Sequence, residues 1–304
     1  MVKAPILLLG RDGQVAWELR RTLACLGSVA VVGRNSAEGL DLARPETLRP
    51  LIDRIQPSLI VNAAAYTAVD MAEQEPERAF RVNAEAVGVL AECARNRGIG
   101  LVHYSTDYVF PGDGQQPYME EDTTGPLGQY GQSKAAGEEA IRAAGAAHLI
   151  FRTAWVYGRR GQNFLLTMLR LMREREQLGI VGDQWGAPTW SRMIAEATAL
   201  ALAQCRHNGA FDLRERSGTY HMTSAGQTSW HGFATAIREI GIELNLLPPT
   251  AAQLNAITTD AYPTPARRPA YSVLSNGKLA DRFGVQLPPW RTALEACLSE
   301  TLLP

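Results

Sequence analysis

Tyr130 and Lys134 stand four residues apart in Tyr130-Gly-Gln-Ser-Lys134, and Thr106 ends the apolar run of His103-Tyr-Ser-Thr-Asp-Tyr-Val-Phe110. Residues four apart share one face of a helix, so the phenol and the ammonium can point into one site. A phenol titrates near 10 and an adjacent cation favours its ionised form. Such a pair is suited to moving a proton on and off a carbonyl or hydroxyl oxygen, and a hydroxyl such as Thr106 could hold the same oxygen. Taken alone, Y-x-x-x-K describes many ordinary surface helices. Its weight comes from what precedes it in the chain.

The elements that must position this set alternate between strand and helix. Residues 5–9 are a short apolar run ending at Gly10, as a buried parallel strand does. Gly10-Arg-Asp-Gly13-Gln-Val-Ala16 follows, and then the amphipathic run 17–26. Strand, glycine turn and helix form the setting of a dinucleotide fingerprint. Gly10 permits the tight turn. Gly13 lets the backbone approach a pyrophosphate, which the helix N-terminus favours.

Residues 29–32 read as a second strand ending at Gly33 and Arg34, where NAD-specific folds often carry an acid for the ribose hydroxyls. A loop and helix from Asp41 to about Ile55 come next, then a third strand over 58–65 that runs into small residues. A long helix is expected over 76–97, and a strand over 100–105 with Thr106 at its C-terminal end. That edge of a parallel sheet is where ligands bind. The helix bearing Tyr130 and Lys134 starts after Pro126.

The second half is less regular. A strand is expected over 148–157, a helix over 163–177, a loop with a short strand over 179–190, a helix over 194–205 and a strand over 218–223. The prolines of 262–279 exclude a regular helix there. The fold class is α/β: a Rossmann-type doubly wound parallel sheet with a smaller C-terminal substrate-binding lobe. Residues 1–160 form the NAD(P)-binding domain and 161–304 mostly the lobe, with elements near 191–206 and 218–224 returning to the first domain.

Composition narrows the function. The 304 residues are 46% hydrophobic and 20% charged, ordinary for a globular chain with a large core. Thirty basic and 31 acidic residues leave a formal net charge of -1, with no basic excess pointing to nucleic acid or an anionic membrane. Cys25, Cys93, Cys205 and Cys297 are far apart and form no C-x-x-C pair, and the five histidines lack metal-like spacing. All five histidines read as structural or surface groups, and no metal is assigned. The start of the chain is apolar too briefly for a transmembrane helix and shows no small-residue cleavage site. A cytoplasmic enzyme or binding protein is the expectation.

The segments GRDGQVAWEL, VNAAAYTAVDMAE, HYSTDYVFPGDG, YGQSKAAGE, FRTAWVYG, GDQWGAPT and PARRPAYSVL occur in this order along nearly the whole chain. Through them the chain resembles the extended short-chain dehydrogenase/reductase superfamily, and within it the dTDP-4-dehydrorhamnose reductase family. The resemblance implies NAD(P)H-dependent reduction of the C4 keto group of a dTDP-4-dehydro-6-deoxyhexose, giving dTDP-L-rhamnose. It implies Thr106, Tyr130 and Lys134 as the catalytic set. It implies cofactor contacts at Gly13, Gln14, Val15, Asp41, Leu42, Ala65, Tyr66, Thr67, Tyr130 and Lys134, with Lys134 holding the nicotinamide ribose, and sugar-nucleotide contacts at Thr106, Asp107 and Trp155. Trp155 could equally be core, and Asp107 could merely cap a loop. The resemblance also implies a homodimer.

Two departures from the family pattern matter. Gly33 and Arg34 replace the acid after the second strand, which favours NADPH, with NADH also accepted. Some members bind magnesium through glutamates at a dimer interface. Glu18 matches one such position, but Arg192 stands where another acid would be, so magnesium is doubtful. Within the superfamily, a dehydratase wants an Asp-Glu pair after the threonine, and here Asp107 is followed by Tyr108. A non-catalytic regulatory subunit, like that of methionine adenosyltransferase, is the alternative outside enzymology.

Overall fold

The computed structural model of the protein describes residues 4–34, 36 and 39–300. Six strands pair in parallel: β1 (Ile6–Leu9), β2 (Val29–Val32), β3 (Leu59–Asn62), β4 (Gly100–Thr106), β5 (His148–Thr153) and β6 (Gly218–His221). Their order across the sheet is β6-β5-β4-β3-β1-β2. The connection from β1 runs one way to β2, and the chain then crosses back to β3 on the other side. The switch point, where such sheets open a crevice for a ligand, therefore lies between the C-terminal ends of β1 and β3.

Helices α1 (Gln14–Ala24), α2 (Leu48–Ile55), α3 (Ala86–Arg97), α4 (Gln129–Ala144), α5 (Phe164–Glu174), α6 (Ser191–Gln204) and α7 (Trp230–Glu243) follow along the chain. The residues of β1 alternate between two cores. Ile6 and Leu8 pack with Leu19, Leu23, Ile194 and Leu202 under α1 and α6, whereas Leu7 and Leu9 pack with Ile52, Leu90 and Ile141 under α2, α3 and α4. β1 is covered on both faces and reads as an unbroken apolar run, because every position is buried. A third core gathers Met168, Phe233, Ile237 and Leu294 from α5, α7 and the helix Trp290–Ser299, beside the parallel pair Gln177–Val181 and Gln253–Ile257.

The elements depart from expectation where a local interaction overrides periodicity. Helix α1 starts at Gln14, with Gly13 as its cap, so the glycine loop leads straight into the helix. The third strand stops at Asn62 rather than 65. The strand expected over 148–157 ends at Thr153; Val156–Tyr157 pairs instead with Thr189–Trp190, because Trp155 takes a left-handed φ of 46° between them. The helix after Asn163 stops at Glu174, and residues 177–181 become a strand against 253–257. The long helix expected over 76–97 is Pro76–Phe80, a π-helical segment Arg81–Glu85 and then α3.

Candidate active site

The glycine loop is built for close approach. Gly10 has a φ of 104°, and a Cβ on it would lie 3.0 Å from the backbone of Ala63 and Ala64, so both its backbone conformation and its space exclude a side chain. Gly13 ends the loop, and the first turn-forming bond of α1 is Trp17 N–H to Gly13 O at 2.9 Å. The amides of Gln14 and Val15 precede it and have no partner inside the helix, which suits a pyrophosphate. The Gln14 side chain turns elsewhere: its Oε1 accepts from Asn163 Nδ2 at 2.8 Å. Any cofactor contact by Gln14 is therefore a backbone contact.

Across the switch point, Ala65, Tyr66 and Thr67 follow β3. The Tyr66 backbone is held at both its polar atoms by one side chain. Tyr66 N–H donates to Asn83 Oδ1 at 2.9 Å, Asn83 Nδ2 donates to Tyr66 O at 3.0 Å, and Asn83 also reaches Ser133 Oγ at 3.0 Å. Asn83 lies in the π-helical segment and is buried. Sequence reading missed Asn83. The signal was Gly137 in α4, where a Cβ would come 2.0 Å from Asn83 O.

At the C-terminal end of β2, Gly33 is buried and a Cβ on it would meet Arg11 N and Cβ at 2.9 Å. The missing acid thus coincides with a missing space for any side chain. Arg34 is exposed in the following turn. Asp41 Oδ1 accepts from Ala43 N–H at 3.0 Å, and Leu42 is buried.

Thr106, Tyr130 and Lys134, the set that the resemblance implies to be catalytic, lie at the end of β4 and on α4 packed beside it. Tyr130, Lys134 and Glu138 lie at successive four-residue steps along α4. Glu138 is clamped by Arg152 through Nε at 2.9 Å and Nη2 at 2.7 Å, a buried fork. Helix α4 sits close because Gly131 lies against Tyr108 O, where a Cβ would come within 2.3 Å. Its first amide, Gln129 N–H, is capped by Glu73 Oε1 at 2.8 Å.

Burial pushes the Tyr130 phenol up to about 12; a hydrogen bond with Thr106 works against the rise and Asp107 adds to it. Lys134 is not among the groups acting on this phenol, so the cation-induced fall expected from the spacing does not occur in the free protein. Lys134 Nζ donates to Tyr104 O at 2.5 Å and lies 3.2 Å from His103 Nε2. Burial lowers it to about 8, with Glu138 opposing. A phenol near 12 keeps its proton at neutral pH and can donate it. His103, read from the sequence as structural or surface, is buried in β4 with its ring against the lysine.

Asp107 is buried; its Oδ1 accepts from Thr106 Oγ1 at 2.9 Å and its Oδ2 has no partner. Burial pushes it up to about 6, while the hydroxyls of Ser272 and Thr106 pull the other way. An unpartnered carboxylate oxygen at a strand end can accept a hydrogen bond from a ligand hydroxyl. Tyr108 packs edge-on against Tyr130, with ring centroids 5.8 Å apart. Trp155 is half-buried and stacks on Trp230 at 3.5 Å, nearly parallel, and its indole lies where a Cβ on Gly186 would fall.

A divalent cation of the kind the family resemblance raised does not fit this chain. Arg192 Nε lies 3.3 Å from Glu18 Oε2, and its Nη1 bonds Glu300. A guanidinium already occupies the space between the carboxylates. Among the described residues no helix is long and apolar enough to cross a membrane.

Comparison with known proteins gives consistent matches over the full length. The model of the family described as RmlD substrate binding domain matches residues 4–303. A dTDP-4-dehydrorhamnose reductase of Burkholderia thailandensis is 53% identical over 301 residues, covering 98% of this chain and 99% of the relative. One from Escherichia coli K12 is 45% identical over 300 residues, covering 97% of each. The crystal structure of a dTDP-4-dehydrorhamnose reductase from Bacillus anthracis in complex with NADP superposes with a TM-score of 0.85 at 30% identity, covering 98% of this chain and 100% of that one.

Proposed function

The chain belongs to the RmlD substrate binding domain family, and from that premise we propose that it is an NAD(P)H-dependent reductase of the C4 keto group of dTDP-4-dehydro-6-deoxy-L-mannose, yielding dTDP-L-rhamnose. The observation that supports the catalytic assignment is the hydrogen bond between the Tyr130 phenol and Thr106 at the C-terminal end of β4, with Lys134 one turn further along α4. The nicotinamide cofactor, when bound, supplies the hydride. Tyr130 donates its proton to the oxygen that becomes a hydroxyl. Thr106 hydrogen-bonds the same oxygen and holds it in reach of the phenol. Lys134 is the neighbouring proton-exchanging group. Asp107 accepts from a sugar hydroxyl, and Trp155, half-buried and stacked on Trp230, borders the sugar nucleotide with its exposed part.

NADPH is the favoured cofactor, with NADH also accepted. Steric closure at Gly33 removes the acid that would repel a 2′-phosphate, and Arg34 next to it offers an exposed fork suited to phosphate. The product serves cell-surface polysaccharide synthesis in the cytoplasm, and the enzyme acts on a free nucleotide sugar.

The test is the loss of NADPH absorbance on adding dTDP-4-dehydro-L-rhamnose, with the product identified by its C4 stereochemistry. Formation of dTDP-L-rhamnose is expected. Absence of turnover in a folded, cofactor-binding preparation would leave the regulatory-subunit reading in its place. A 4-keto-6-deoxy product made from dTDP-glucose would make the chain a dehydratase instead.

A further inference from the structure

Beneath the catalytic lysine lie two polar side chains that the reductase reading leaves unused. Asn62 and His103 are register partners across β3 and β4, and both are 1% exposed. Asn62 Nδ2 is 3.1 Å from His103 Nδ1, and Asn62 Oδ1 accepts from Ala64 N–H at 3.2 Å. His103 Nε2 is 3.2 Å from Lys134 Nζ.

One fixed donor sets the direction of every bond in this chain. A backbone N–H can only donate, so the Asn62 atom facing Ala64 is the oxygen. The other atom is the amide nitrogen, which also only donates, so His103 Nδ1 accepts. Burial and the charge of Lys134 hold His103 well below its ordinary value, so the ring is neutral and carries one proton. That proton is on Nε2, aimed at Lys134. An ammonium has no lone pair to receive it, whereas an amine does.

We propose that Asn62 and His103 are positioning residues for the proton chemistry of Lys134: Asn62 fixes the tautomer of His103, and His103 Nε2–H favours the amine form of the lysine over the ammonium. In turnover, Tyr130 gives its proton to the product oxygen and is left as a phenolate. An ammonium at Lys134, one turn further along α4, can relay one proton to the phenolate, which restores the phenol, and the amine left behind then accepts the His103 N–H. This role in turnover rests on the reductase reading, but the tautomer and the titration do not.

Other groups around the lysine are accounted for. On its own helix, Glu138 favours the charged form, but its carboxylate is clamped by Arg152 from β5 and also meets Arg142. Tyr130, and Asp107 beyond β4, flank the site. The hydroxyl of Tyr104 is turned away to Thr198. The π-helical segment presents the uncharged Asn83, Glu73 is engaged at the helix N-terminus, and Asp70 pairs with Arg268.

The chain's lysines are Lys3, Lys134 and Lys278, so side-chain 13C-lysine NMR of the cofactor-free protein resolves each titration. A Lys134 midpoint near 8 is expected in the wild type. In Asn62→Asp the carboxylate takes the His103 Nδ1 proton and Nε2 becomes an acceptor for an ammonium, so the midpoint rises by about one unit or more. In a His103→Leu background the same Asn62→Asp change loses most of that rise. If Asn62→Asp does not fold, His103→Gln gives the same upward shift, because its amide can offer an oxygen to the ammonium. An ordinary lysine midpoint in the wild type, no movement in the folded variants, or an equal rise without His103 would overturn the proposal. The measurement needs no turnover, so its failure is distinct from failure of the reductase assignment.

Discussion

At the scale of single residues, three side chains carry separable consequences. Tyr130→Phe keeps the ring and removes the proton. General acid catalysis contributes about 10²–10⁴-fold, so kcat should fall by roughly that factor while NADPH binding barely changes; near-normal turnover with chemistry rate-limiting would remove Tyr130 from the role. Asp107 titrates at about 6 in the folded protein and near 3.9 when unfolded, so the folded state binds its proton more tightly. Its ionised form therefore costs stability at pH above about 6, and the cost fades as pH falls toward 4. Asp107→Asn should stabilise the protein on the order of 2 kcal/mol at pH 8 and by almost nothing at pH 4, while weakening substrate binding. Denaturant titrations at the two pH values check the sign. For Arg34, a charged hydrogen bond to a 2′-phosphate is worth about 1.5–3 kcal/mol, or roughly a ten- to hundredfold preference. The ratio of kcat/KM for NADPH over NADH should collapse toward one in Arg34→Ala; an unchanged ratio means that Arg34 does not read the phosphate.

At the scale of elements, α4 and the π-helical segment Arg81–Glu85 act as one unit. Their close approach at Gly137 lets Asn83 hold both the Tyr66 loop and Ser133. Gly137→Ala would gain about 1 kcal/mol of helix propensity, but its Cβ would lie 2.0 Å from a backbone oxygen. Overpacking of that kind costs about 1–3 kcal/mol, so the clash should win. Thermal unfolding should show net destabilisation, and cofactor KM should rise as the loop after β3 loses its anchor. An exposed glycine such as Gly145, where a Cβ would meet nothing within 4 Å but φ is 70°, is the control: its substitution strains the backbone and leaves KM unchanged.

At the scale of the whole molecule, Glu300, at the end of the chain's described part, is tied back to the first domain. Arg192 joins Glu300 to Glu18 on α1, Arg21 bridges Glu18 and Glu196, and Arg159 also reaches Glu300. Surface pairs of this kind contribute little singly, with a median of about 0–1 kcal/mol, but together they neutralise the acids that a cation would need. Exhaustive chelation with EDTA should leave both Tm and turnover unchanged. A drop in either that magnesium restores would show that a metal binds despite Arg192.

The sequence by itself determined the parallel sheet, the glycine turn and the face that carries Tyr130 and Lys134. These are local: a strand buried on both faces is mostly apolar, a left-handed turn favours glycine, and four-residue spacing fixes a helical face. The segment order that resembles a known family likewise needed no coordinates. Tertiary structure decided the rest, because the competing terms were long-range. Pairing with residues 253–257 made 177–181 a strand where a helix to 177 and a loop with a short strand from 179 were expected, and the left-handed φ of Trp155 broke a run whose period gave no warning. Burial set the direction of each titration at the site. It raised Tyr130 where spacing to Lys134 suggested a fall, and it left Asp107 with an unpartnered oxygen. Desolvation and the Asn62–His103–Lys134 bonds depend on which strands lie side by side, and that is settled only when β3, β4 and α4 meet.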